Sequence, residues 1–122
     1  MIKLKSFSNR STKGRTCEQL ALNYLIKNGL KLIEQNFNSR YGEIDLIMQH
    51  QNSVVFIEVR YRKNENFGGA KASVTPTKQN KIQKTALYYM QKQGREFNAR
   101  FDVVAMSGEY NNLTIEWIKN AF

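Results

Sequence analysis

Two stretches place carboxylates inside otherwise apolar, β-branched runs: Gly42-Glu43-Ile44-Asp45-Leu46-Ile47 and Phe56-Ile57-Glu58-Val59-Arg60. Strands do not carry buried carboxylates without partners, so acids in neighbouring strands point to a site. His50-Gln51-Asn52-Ser53 separates the runs and predicts a hairpin turn. With Gln51 and Asn52 at the tip, Asp45 falls opposite Glu58 and Glu43 opposite Arg60. Directly opposed Cβ atoms stand about 4.5–5.5 Å apart, and alternate side chains share a face. Glu43, Asp45, Glu58 and Arg60 then share one face, and Ile44, Leu46, Val55, Ile57 and Val59 the other. Facing carboxylates repel unless a proton or cation lies between them. A divalent, oxygen-preferring ion such as Mg²⁺ meets that demand. The same spacing also suits a plainer arrangement, a cross-strand Glu43–Arg60 ion pair on a wetted sheet face.

The elements that would position these residues follow from the rest of the chain. Residues 1–13 are basic, with Lys3, Lys5, Arg10 and Lys13 and no acid, and read as a mobile arm. Residues 14–122 read as one domain. Ser11 or Thr12 caps a first helix that runs to Asn28 before Gly29. Its apolar stripe is Cys17, Leu20, Ala21, Tyr24 and Leu25. Glu18 lies at the edge of that stripe, either reaching a sheet-borne ion or standing solvated in the field of the helix N-terminus. Leu30 to Phe37 reads as a first strand and Asn38 to Gly42 as a turn. Tyr61 to Ser73 has no period and reads as a loop. Thr75-Pro76 opens a second helix that Gly94 closes, with Ile82, Ala86, Tyr89 and Met90 buried. Arg100 to Met106 and Leu113 to Ile118 are the last two strands. The order αβββαββ argues an α/β sandwich with a mixed five-stranded sheet flanked by helices.

Composition narrows the function classes. Nineteen Lys and Arg against ten Asp and Glu give a formal net charge of +9. Such a charge attracts polyanions, nucleic acid first among them. No apolar run approaches the roughly 20 residues of a membrane span. Cys17 is the single cysteine and His50 the single histidine, which excludes an intrachain disulfide and a Cys/His zinc site. The lone cysteine and the lack of a signal-peptide pattern point to a reducing, cytoplasmic setting. His50 reads as a solvated turn residue.

Taken in order, a larger set of residues carries a resemblance: Gly14, Glu18 and Ala21; Tyr24-Leu25; Gly29; Asn36; Gly42 to Ile47; Phe56 to Arg60; Arg62; Phe67-Gly68; Val74; Lys78; Ala86; and Arg100 to Val104. Over roughly residues 14–118 the chain resembles the YraN-like family of small bacterial proteins. That family is similar to the PD-(D/E)xK nuclease superfamily, nearest to the archaeal Holliday junction resolvases. The resemblance implies a restriction-endonuclease-like three-layer core. It assigns the strand aspartate to Asp45, the Glu-x-Lys pair to Glu58 and position 60, and the first-helix acid to Glu18. The chain departs from the pattern at Cys17, where the family usually has Gly, and at Arg60, where the superfamily has Lys. That lysine orients or helps deprotonate the attacking water. Arginine stays protonated and can only stabilise developing charge; Lys78 is a candidate substitute.

The resulting expectation is a metal-dependent phosphodiesterase acting on DNA rather than RNA, branched or single-stranded. Glu18, Asp45 and Glu58 would hold Mg²⁺ or Mn²⁺. Arg60 would meet the scissile phosphate, and Glu43 would tether Arg60 or hold a second ion. Arg40, Arg62, Lys63, Lys71, Lys78 and Lys81 would grip the backbone. Two other readings remain open: a catalytically inactive nucleic-acid-binding module on the same fold, and a basic protein–protein adaptor presenting Tyr88, Tyr89 and Phe97. Junction-cutting relatives suggest a homodimer by analogy.

Overall fold

The computed structural model describes residues 9–64 and 69–122, with side chains from Thr16 onward. Apolar runs either side of Gln51-Asn52 make the central hairpin. Strand β2 (Gly42–His50) pairs antiparallel with β3 (Ser53–Arg62), from His50 opposite Ser53 to Leu46 opposite Ile57. This is the register that the two-residue tip predicts. Strand β1 (Lys31–Ser39) precedes β2 and pairs with it across a turn at Arg40 and Tyr41. After β3 the chain crosses over through α2 (Gly69–Ala72) and α3 (Pro76–Gln93). It returns as β4 (Asn98–Glu109), parallel to β3, and ends in β5 (Asn112–Ile118), antiparallel to β4. The sheet is mixed, in the order β1-β2-β3-β4-β5.

Helix α3 begins and ends where its cap residues place it. Thr75 accepts a hydrogen bond from the Lys78 N–H, Pro76 follows, and Gly94 closes the helix in the left-handed conformation. Helix α1 (Asn9–Lys27) starts ahead of Ser11 and Thr12 and takes in part of the expected arm. Residues 1–8 of that arm lie outside the described residues. The stretch expected as a structureless loop contains the one-turn α2, so the order is αβββααββ. Strand β4 outlasts its expected end at Met106 because Ser107, Gly108 and Glu109 pair with Thr114, Leu113 and Asn112.

The core lies in two layers, one on each face of the sheet. Cys17, Ala21, Leu22 and Leu25 of α1 pack on Leu46, Met48, Val55, Ile57, Val104 and Met106. Ala70, Val74, Ile82, Ala86 and Tyr89 cover the other face with Phe37, Ile44, Ile47, Val54, Phe56, Val103 and Ala105. This assigns Ile44 to the α3 side and Leu46 to the α1 side, whereas strict alternation puts both on one face. The pleat slips between them. The β1 residue that falls there is Asn36, between the partners of Ile44 and Leu46, and its φ is 51°. Asparagine is among the few non-glycine residues that accept that conformation. Asp45 therefore sits at an irregular point of the sheet.

One fully buried charge braces the far end. Asp102 accepts from Arg100 Nε at 3.0 Å and Nη2 at 2.9 Å, from Trp117 Nε1 at 2.9 Å and from the Asn120 N–H at 3.1 Å. His50 closes this cluster rather than standing free in a turn: its Nδ1 accepts from Arg100 Nη2 at 2.9 Å.

Candidate active site

The β2–β3 ladder stops at Leu46 and Ile57, and the strands splay just before the acids. The Val59 N–H donates to Asp45 Oδ2 at 2.8 Å. A cleft of about 440 Å³ opens at this point, lined by Glu18 from α1, Glu43 and Asp45 from β2, Glu58 and Arg60 from β3, and Lys78 and Lys81 from α3. Two sheet strands thus supply an acidic floor, and the first turns of α3 a cationic wall. Cys17, Gly42, Val59, Tyr61 and Ile82 complete the lining.

Asp45 and Glu58 hydrogen-bond each other. Burial pushes the Asp45 carboxyl well above the usual carboxylate range, and the Glu58 charge beside it pushes further; the Val59 N–H opposes both. Burial also raises Glu58, against its hydrogen bond to Asp45 and the nearby charges of Arg60 and Lys78. Both shifts run the same way, toward the protonated form. Glu18 stands apart: its Oε1 accepts from Asn36 Nδ2 at 2.8 Å. Burial raises it, and the charges of Asp45 and Glu43 add to that.

Arg60 is held on both sides. Its Nε donates to Ser73 Oγ at 2.8 Å, and its Nη1 lies 3.4 Å from Glu58 Oε2. Ser73 in turn donates to the Ala70 carbonyl at 2.6 Å, which ties the guanidinium to α2. The plainer arrangement, with Glu43 paired to Arg60, is not the one formed: Glu43 is exposed and Arg60 turns to Glu58.

Among the described residues, no three His, Cys, Asp or Glu side chains ring a common point. The expected trio resolves into a touching pair, Asp45 and Glu58, and a third acid held off by Asn36. Two carboxylates still suit Mg²⁺, which keeps several of its waters and binds proteins through one or two carboxylates. Two carboxylates crowded together are a donor set such an ion fits.

The model of the uncharacterised protein family UPF0102 matches residues 17–106. The chain belongs to this family. A UPF0102 protein of Legionella pneumophila is 53% identical over 112 residues, covering 90% of this chain and 93% of its own. One of Nitrosomonas eutropha is 48% identical over 115 residues, covering 94% and 97%. One of Colwellia psychrerythraea is 45% identical over 118 residues, covering 94% and 92%. The expected membership in a family of small bacterial proteins therefore holds.

In this UPF0102 chain, Glu18, Glu43, Asp45, Glu58, Arg60, Lys78 and Lys81 meet in one cleft. Arg40, Arg62, Lys63 and Lys71 are exposed and lie outside its lining. Lys63 reaches Glu109 at 3.8 Å across the protein surface. Ser73, which fixes Arg60, and the Val59 N–H, which fixes Asp45, carry no sequence signature: one lies in an aperiodic stretch and the other is backbone. Of the aromatic residues assigned to an adaptor surface, Tyr89 is buried and only Tyr88 is open, at 39% exposure.

Proposed function

We propose that the chain is a divalent-metal-dependent nuclease with a restriction-endonuclease-like core, acting on nucleic acid, DNA before RNA. The observation that carries this reading is the Asp45–Glu58 pair, set where two strands part and faced by Lys78 and Lys81 across an open cleft. Asp45 and Glu58 would hold Mg²⁺ or Mn²⁺, with Glu18 acting through a water. The ion would supply a polarised water and neutralise charge on the phosphate. The chain's own residues do the rest. Asn36 fixes Glu18 one water's reach from the pair, Arg60 orients Glu58, and Lys78 and Lys81 draw a phosphodiester onto the floor. The fixed position of Arg60 favours a second reading, a binding module without cleavage: a guanidinium engaged by Ser73 and Glu58 cannot take a proton from water.

Incubation with junction, flap and linear DNA in Mg²⁺ or Mn²⁺ tests the first reading. Cleavage by the wild type is expected. Asp45→Ala should lower it on the order of 10²–10³-fold while retaining DNA binding. Metal-dependent cutting that survives Asp45→Ala would overturn the assignment, and binding without cutting by the wild type would leave the second reading.

A further inference from the structure

A cationic and aromatic strip leads away from the cleft along α3. Lys84, Tyr88 and Lys92 are spaced four residues apart on one helix face, with Lys81 one turn before Lys84. Lys81 belongs to the cleft wall, so the strip starts inside the site. Tyr88 is open on the surface although it leans on buried Phe37, ring centroids 6.1 Å apart. The Lys92 ammonium stands 5.8 Å from both ring centroids.

The β1–β2 turn comes up beside this face. Ser39 Oγ and Thr85 Oγ1 are 3.1 Å apart. A Cβ placed on Gly42 would lie 3.7 Å from Lys81 Cβ, so backbone and helix approach closely there. The turn presents Arg40 with its guanidinium 5.0 Å from the Tyr41 ring centroid and its Nη2 donating to Tyr41 Oη at 2.9 Å. The Tyr88 phenol lies within electrostatic reach of the same Arg40. Rings and cations therefore alternate on one continuous surface.

We propose that this surface is a track for unpaired polynucleotide: Tyr41 and Tyr88 stack bases while Arg40, Lys81, Lys84 and Lys92 hold phosphates. Every base has a π-face, so such platforms take single strands with little regard to sequence. A duplex hides those faces and gains only the charge. From Lys81 to Lys92 the helix rises about 16 Å, room for about five stacked nucleotides. The proposal names the form of substrate delivered to the proposed site, but its binding step needs neither metal nor cleavage.

The test uses the full chain carrying Asp45→Asn in a chelator, so that nothing is cut, with fluorescence anisotropy on labelled oligodeoxyuridylate, oligouridylate and blunt duplex DNA. At least one single strand should bind about tenfold tighter than the duplex, and the sugar that binds tighter identifies the natural strand. Adding Tyr88→Ala should weaken single-strand binding about tenfold and leave duplex binding unchanged, while Tyr88→Phe keeps the wild-type value. Tyr41→Ala should act in the same direction. Equal or tighter duplex binding, or Tyr88→Ala and Tyr41→Ala variants that hold single strands as before, would overturn the track. If the wild type cuts nothing but these ring effects appear, the track stands and the nuclease reading falls. If it cuts and the rings make no difference, the reverse holds.

Discussion

Asp45 is the residue on which the site turns, and its chemistry is at odds with stability. Its carboxyl is raised above its ordinary value of 3.8 by burial and by Glu58. A carboxyl with a raised folded-state value favours folding while protonated. That contribution is complete below the unfolded value and is lost as pH climbs through the folded one. Ionising Asp45 beside Glu58 in the metal-free protein therefore costs stability as pH rises. Asp45→Asn removes the titration and keeps an oxygen for the Val59 N–H. The variant should unfold at a higher temperature than the wild type at pH 7–8, by several degrees if the relief is about 1 kcal/mol, and the gap should close toward pH 4. Thermal unfolding across that pH range in a chelator checks this; a gap that widens on acidification would contradict the assigned cause. Saturating Mn²⁺ should narrow the gap from the wild-type side.

At the scale of elements, α3 is the piece that brings the cationic wall to the acids, and its first turn depends on one cap. Thr75→Ala removes the acceptor of the Lys78 N–H, 3.3 Å away, and should cost about 1 kcal/mol. The expected sign is a lower urea midpoint with an unchanged slope. This helix was legible in full: Thr75, Pro76 and Gly94 are local signals that no tertiary contact overrides. The hairpin tip at Gln51-Asn52 was equally legible, because the two-residue turn fixes register by geometry. Two features were not. Helix α2 is a single turn, too short for any periodicity. The slip that separates Ile44 from Leu46 falls beside an asparagine in the left-handed conformation in the neighbouring strand, and hydropathy patterns contain no trace of it. Turn geometry sets Asp45 opposite Glu58 only if the ladder runs on past Leu46. It stops there, yet the same acids meet because the parting strands put the Val59 N–H within reach of Asp45.

The whole molecule separates its charges. The net charge is +9, while the acids lie on the floor of the cleft, the cations of α3 wall it and Arg40 of the β1–β2 turn stands outside it. Four phosphate contacts by Arg40, Lys81, Lys84 and Lys92 should give a log–log dependence of single-strand affinity on salt with a slope of about −3, and each cation removed should make it shallower by about 0.7. Titrations at several salt concentrations read this directly; a flat dependence would argue for a protein partner in place of a polyanion. Among the described residues, no helix is long and apolar enough to cross a membrane.

The parallel pairing of β3 with β4 has a consequence for how the molecule comes into being. β1, β2 and β3 are joined by turns of two residues, so the acidic floor is assembled from neighbours along the chain. Lys78 and Lys81 lie on the crossover, whose helix α3 packs on β2 and β1, while the return strand β4 closes the unit only by docking on β3. Distant pairings of this kind form late because loop closure must precede their reward. A chain emerging from synthesis thus presents its acidic strands before the helix that carries the lysines has been made, and the cleft waits on that helix.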